Sequence, residues 1–161
     1  MTNTNVTTSI QEGKSIPEFS GLATNNITFN LSDYKDKNIL LYFYPKDNTS
    51  GCTTEGLYFS EHIETFNQKN VVVFGVSRDS VKVHEGFKAK QSFAFELISD
   101  KDETICNLFD VIKEKKMYGK THMGIERSTF LIGKEGILIK QWRKVKVSAH
   151  LQEVLDEIEK L

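Results

Sequence analysis

The run Ile39-Leu40-Leu41-Tyr42-Phe43-Tyr44 is apolar at six consecutive positions and stops at Pro45. A run this short, rich in aromatic residues and closed by turn residues, suits a strand buried on both faces. Val71-Val72-Val73-Phe74-Gly75-Val76 is a second such run, rich in β-branched residues. Between the two, Phe59, Ile63 and Phe66 recur at i, i+4, i+7 with Leu57 beside them, which is a helical stripe. Strand, helix and strand make a βαβ unit with parallel strands and a right-handed crossover. The fold class is therefore α/β. Sites in such sheets gather at the carboxyl ends of strands, and Pro45 to Cys52 occupies that end of the first strand.

The flanking segments follow from the same signals. Residues 1–14, rich in Thr, Asn, Ser and Gln, read as a flexible leader, and residues 15–161 as one domain. Phe19 to Leu22 and Ile27 to Leu31 form an N-terminal β-hairpin about Thr24-Asn25-Asn26, followed by a polar connector from Ser32 to Lys37. Val81 to Gln91 is a helix and Phe95 to Ile98 a short strand. Asp100 caps a further helix whose apolar face is Ile105, Leu108, Phe109 and Ile112. Lys113-Glu114-Lys115-Lys116 reads as a solvated loop, and Met117 to Glu126 as a mixed loop. Ser128 to Ile132 and Ile137 to Trp142 pair about a turn at Gly133 to Gly136. Ser148 opens a last helix with Leu151, Val154, Leu155, Ile158 and Leu161 on one face.

Composition narrows the function classes. Apolar residues make up 39% and charged residues 27% of 161, the balance of a soluble globular chain. A formal net charge of −1 asks for neither nucleic acid nor an anionic membrane as partner. No stretch approaches the ~20 apolar residues of a membrane span, and the polar start Met1-Thr2-Asn3-Thr4-Asn5 has no signal-peptide pattern. Two cysteines in such a chain point to a reducing, cytoplasmic setting. The question about them is reactivity rather than cross-linking.

Cys52 falls where a buried strand ends and a helix begins, a position at which unpaired N–H groups and the helix dipole favour negative charge. Ser50-Gly51 lets the backbone approach a reactant closely, and Thr49 lies three residues before the sulfur. A structural cysteine at a helix terminus is the plain alternative, and the flanking residues weigh against it. The residue three positions on is Glu55 rather than a second cysteine, which argues against a dithiol oxidoreductase. His62, His84, His122 and His150 share no metal-ligand spacing, and no phosphate-binding Gly-rich loop follows a strand. No cofactor or metal is expected.

The string Tyr42-Phe43-Tyr44-Pro45-Lys46-Asp47-Asn48-Thr49-Ser50-Gly51-Cys52-Thr53-Thr54-Glu55 resembles the active-site signature of peroxiredoxins, in the bacterioferritin comigratory protein or PrxQ branch. Gly75-Val76-Ser77, Leu97-Ile98-Ser99-Asp100 and Gly124 to Ile132 match in order, so the resemblance covers nearly the whole chain after the leader. It implies a thioredoxin-like fold, a central mixed β-sheet flanked by helices, and reduction of hydrogen peroxide and organic hydroperoxides. It also implies roles. Cys52 attacks the peroxide and becomes a sulfenic acid. Thr49 donates to the peroxide from its hydroxyl, and Arg127 supplies a fixed positive charge to sulfur and substrate. Pro45 shields the thiolate, and Glu55 either serves as a first-turn acid or orients Arg127, two compatible readings.

The chain departs from the branch at the resolving cysteine. Leu57 and Lys88 stand at its two usual positions, and Cys106 reads as a small buried hydrophobe. The expectation is a monomeric one-Cys peroxidase whose sulfenic acid is reduced by an external thiol such as thioredoxin. The alternative is a non-catalytic redox sensor or binding module that uses Cys52 oxidation.

Overall fold

The computed structural model describes residues 10–161. Its core is a seven-stranded sheet of β1 (Ser20–Ala23), β2 (Thr28–Asn30), β3 (Asn38–Phe43), β4 (Val71–Ser77), β5 (Glu96–Ser99), β8 (Ser128–Ile132) and β9 (Leu138–Trp142), in the order β2-β1-β5-β4-β3-β8-β9. β3 pairs parallel to β4 and β4 parallel to β5, whereas β8 runs antiparallel to β3 and the β1–β2 hairpin antiparallel to β5. The sheet is mixed, and the N-terminal hairpin forms one edge. Strands β6 (Ile112–Met117) and β7 (Lys120–Ile125) form a separate two-stranded sheet.

All six residues of β3 are buried, because both faces of the sheet are covered. The strand alternates between two cores. Ile39, Leu41 and Phe43 point into one with Phe29, Phe74, Phe109 and Phe130. Leu40, Tyr42 and Tyr44 point into the other with Phe59, Phe66, Phe87 and Leu97. Helices α1 (Ser50–Glu61), α2 (Ile63–Gln68), α3 (Val81–Gln91) and α5 (Val147–Glu159) contribute to the second core, and α4 (Thr104–Leu108) packs Ile105 and Cys106 into the first.

Several expectations are corrected. The stripe Phe59, Ile63 and Phe66 spans two helices, because the chain breaks at His62 between α1 and α2. Ile112 is not on α4, which ends at Leu108; it opens β6. The segments read as loops at 113–116 and 117–126 hold most of β6 and β7. Of the expected leader, residues 1–9 lie outside the described residues. Ile10 is buried, the Gly13 N–H donates to the Leu138 carbonyl at 2.7 Å, and Glu12 Oε2 accepts from the Gln141 N–H at 3.0 Å. These bonds fasten residues 10–14 along β9.

Candidate active site

β3 delivers the chain to Tyr44, and the Tyr44 N–H still donates to the Val76 carbonyl of β4 at 3.0 Å, as in a ladder bond. Pro45 then turns the backbone, half-buried at the bend, and α1 begins at Ser50. Cys52 is the third residue of this helix and only 2% exposed. Thr49 is the residue before the helix and makes no side-chain cap bond to it. Its hydroxyl donates instead to the Lys46 carbonyl at 2.8 Å. The expected proton donor therefore has its proton engaged and offers its lone pairs.

The buried side of α1 is Cys52, Glu55, Gly56 and Phe59, spaced at i, i+3, i+4, i+7. Glu55 thus points inward with the sulfur rather than out to solvent. Arg127 arrives from the junction of β7 and β8, where its carbonyl accepts from the Val145 N–H at 2.9 Å. Its Nη1 donates to Glu55 Oε1 at 2.6 Å and its Nη2 to Cys52 Sγ at 3.4 Å. The rigid guanidinium fork spans both partners at once. Gly51 keeps the approach open, since a Cβ there would stand 3.2 Å from Arg127 Nη2.

The electrostatics follow from burial. Desolvation pushes the Glu55 carboxyl from 4.5 up to about 7, against the lowering pull of Arg127. Its second oxygen, Oε2, is buried and has no partner among the described residues, so it is the oxygen that carries the proton when Glu55 is neutral. Arg127 is raised, with burial lowering it but Glu55 and then Cys52 outweighing that effect. The Tyr42 hydroxyl beneath the site is raised far above its ordinary value, first by burial and then by Glu55 and Cys52.

Sequence reasoning missed a second layer behind the Pro45–Thr49 turn. Tyr44 Oη donates to Asp47 Oδ1 at 2.6 Å, and Asp47 Oδ2 lies 2.6 Å from His84 Nδ1. His84 Nε2 lies 2.9 Å from the Ile98 carbonyl, which can only accept, so Nε2 carries a proton. The Asp47 N–H donates to Asp79 Oδ2 at 2.9 Å. These bonds tie the turn before Cys52 to β4, α3 and β5. Donor atoms of Asp47, Asp79 and His84 lie within 4.8 Å of one another, a spacing open to a metal, but they are engaged in these hydrogen bonds. The available signal was polar residues inside an apolar frame: Asp47 just past β3, and His84 four residues after Ser80 on the face that carries Phe87.

The positions weighed for a resolving thiol are separated from Cys52. Leu57 is half-buried against the second core, and Lys88 Nζ pairs with Glu96 Oε1 at 2.8 Å. Cys106 lies in the first core and Cys52 in the second, on opposite faces of the sheet. Both are free thiols.

Residues 13–141 match the AhpC/TSA family. The chain belongs to the AhpC/TSA family. Peroxiredoxin Bcp of Xanthomonas campestris is 58% identical over 117 residues, covering 73% of each protein. Peroxiredoxin Bcp of Bacillus subtilis is 49% identical over 149 residues, covering 92% of this chain and 95% of that one. Among solved structures, a cysteine-to-serine variant of Xylella fastidiosa PrxQ superposes with a TM-score of 0.89 at 46% identity, covering 96% of this chain and 98% of the other. The bacterioferritin comigratory protein of Xanthomonas campestris, whose alkyl peroxide reduction activity was followed through trapped intermediate and ligand complexes, gives 0.84 at 48% identity, covering 88% and 90%. The fold is the thioredoxin-like fold of these peroxiredoxins, and the chain is a peroxiredoxin enzyme, a thiol-dependent reductase of hydroperoxides.

Proposed function

We propose that Cys52 is the peroxide-reducing thiol and that it works as a one-Cys centre recycled from outside the chain. The observation that carries this reading is the fork of Arg127, 3.4 Å from Cys52 Sγ and 2.6 Å from Glu55 Oε1. The Cys52 thiolate attacks the terminal peroxide oxygen. An S–O bond forms as the O–O bond breaks, and the electron pair leaves on the departing alkoxide or hydroxide, which takes up a proton. Sulfur is oxidised to the sulfenic acid and the peroxide is reduced to alcohol or water. Negative charge moves from sulfur to oxygen along this path, and preorganised donors lower the barrier most where that charge develops. Arg127 and the Cys52 N–H serve as those donors. Thr49 accepts from the peroxide O–H, because its own proton is held by Lys46. Pro45 covers the sulfur, and Glu55 orients Arg127.

An external thiol then attacks the sulfenic sulfur and displaces water, and a second thiol releases Cys52 from the mixed disulfide. Three facts support recycling from outside: Leu57 and Lys88 carry no thiol, and the sheet stands between Cys52 and Cys106. Thioredoxin is the reductant we propose, with residues 15–161 acting as a single catalytic domain, as a monomer, in the cytoplasm. Two free cysteines support a reducing compartment. No helix among the described residues is long and apolar enough to cross a membrane.

Intact mass after one equivalent of peroxide tests the one-Cys reading. The expected product is one added oxygen at Cys52 with Cys106 still a thiol. A stoichiometric Cys52–Cys106 disulfide within the monomer would overturn it.

A further inference from the structure

The β6–β7 hairpin has no place in the chemistry above, yet it leads directly into Arg127. In its register Lys113 faces Gly124, Lys115 faces His122 and Met117 faces Lys120. Cross-strand partners share a face, and residues two apart along a strand share it as well. Lys113, Lys115, Lys120 and His122 therefore lie on one face. The hairpin's acid, Glu114, lies on the other, together with Lys116. Near the base, Lys115 folds over Gly124: a Cβ built there would stand 3.4 Å from Lys115 Cδ and 3.7 Å from Arg78 Nη2. Lys115 is also within electrostatic reach of the reacting centre. Its ammonium is lowered by desolvation first and then by Arg127, while Cys52 pulls it the other way. At the tip, Tyr118 is 96% exposed. Among the described residues neither Lys115 nor Lys120 forms an ion pair.

We propose that this basic face is the docking surface for an acidic protein dithiol that reduces the oxidised Cys52. The inference rests on the external recycling argued above and names the surface that would serve it. Charge complementarity is the first argument: Asp110 holds Lys113 at 3.1 Å, but Lys115 and Lys120 have no acid partner among the described residues, and two such charges on one face attract a negatively charged partner and speed encounter. Extent is the second. Two six-residue strands reach ~20 Å, from the base beside Arg127 to the Tyr118 tip. A small thiol would use only the base, whereas a protein surface seated at the sulfur would also cover Lys120.

The test is steady-state turnover with thioredoxin, thioredoxin reductase and NADPH, beside turnover with dithiothreitol, for Lys120→Glu and Lys116→Glu. Both substitutions change the charge equally, on opposite faces of one hairpin. Lys120→Glu is expected to raise the KM for thioredoxin about fivefold or more, as loss of steering charge does. Lys116→Glu is expected to stay within about twofold on the same grounds. Dithiothreitol turnover should be the same for both variants and the unsubstituted protein. Equal responses of the two variants would overturn the proposal, as would turnover with dithiothreitol but none with thioredoxin. Failure of every thiol to sustain turnover is a separate result, which removes the recycling reading and this surface with it.

Discussion

The two cysteines occupy the same position in different surroundings. Cys52 is the third residue of α1 and Cys106 the third residue of α4, and both are buried. At α1 the preceding Thr49 turns its hydroxyl away from the helix, and an arginine donates to the sulfur. At α4 the Asp100 carboxylate accepts from the Ile105 N–H at 3.0 Å and the Cys106 N–H at 2.7 Å. Burial pushes the Cys106 thiol far above its usual range, and its hydrogen bond to Asp100 and the charge of that carboxylate push it further. The same place at a helix start thus leaves the two sulfurs in opposite electrostatic surroundings. What matters is whether the amides are left for the sulfur or taken by an acid, and which charge faces the thiol.

The most severe way to break this contrast is to remove each sulfur in turn. Cys52→Ser should lower NADPH-coupled peroxide consumption by at least ~10³-fold, the scale of losing an activated nucleophile. Cys106→Ser should remain within about twofold, since a role confined to packing leaves the chemistry intact. Comparable losses in both would erase the distinction. Next comes the facing charge: Arg127→Ala should cost ~10²–10³ in the second-order rate with peroxide, the range seen when one preorganised donor is removed. Arg127→Lys should recover part of that loss, because an ammonium keeps the charge but cannot span Glu55 and the sulfur together.

Glu55 sharpens the comparison through pH. Its carboxyl stands at about 7 in the folded protein against an ordinary 4.5. Between those values the folded chain holds a proton that the unfolded chain has released. The stability contributed by burying the neutral acid is therefore complete below the ordinary value and is lost as pH rises through the folded one. The loss is on the order of 3 kcal/mol by proton linkage. Denaturant midpoints measured across this window should fall with rising pH, and Glu55→Gln should flatten that fall. An unchanged slope in the variant would show that Glu55 is ionised throughout. The smallest expected effect is at the other cysteine: Asp100→Asn should cost ~1–2 kcal/mol, since the amide has a single acceptor oxygen for two N–H groups. It should also speed iodoacetamide labelling of Cys106 in a Cys52→Ser background. Labelling unchanged by that substitution would mean that access alone, and not Asp100, keeps Cys106 inert.

The parts of the fold visible in the sequence are those in which burial repeats at a helix or strand period. The apolar runs of β3 and β4, the Phe130-Leu131-Ile132 run of β8 and the stripe of α5 were all readable for this reason. The β6–β7 hairpin was not. It stands apart from the main sheet, and its middle section, Lys113 to Lys116 against Thr121 to Gly124, has no apolar alternation to reveal a strand. The break at His62 was hidden because α2 continues nearly the same stripe that α1 begins. In the candidate site, Cys52, Thr49 and Pro45 were legible from one contiguous string. Asp47 and His84 were not, since 37 positions separate them and only the tertiary structure brings them together.

The sequence by itself determined that a cysteine would stand at the end of a buried strand and the start of a helix, because hydrophobic periodicity and turn residues act locally. It also determined that no second thiol would stand at position 57 or 88. Only the tertiary structure decided what each cysteine faces. Arg127 reaches Cys52 from 75 positions away because β8 pairs with β3, and Asp100 reaches α4 because it follows β5 directly. The charge beside a sulfur depends on which strands lie next to each other, and strand order is set by burying both faces of the whole sheet at once.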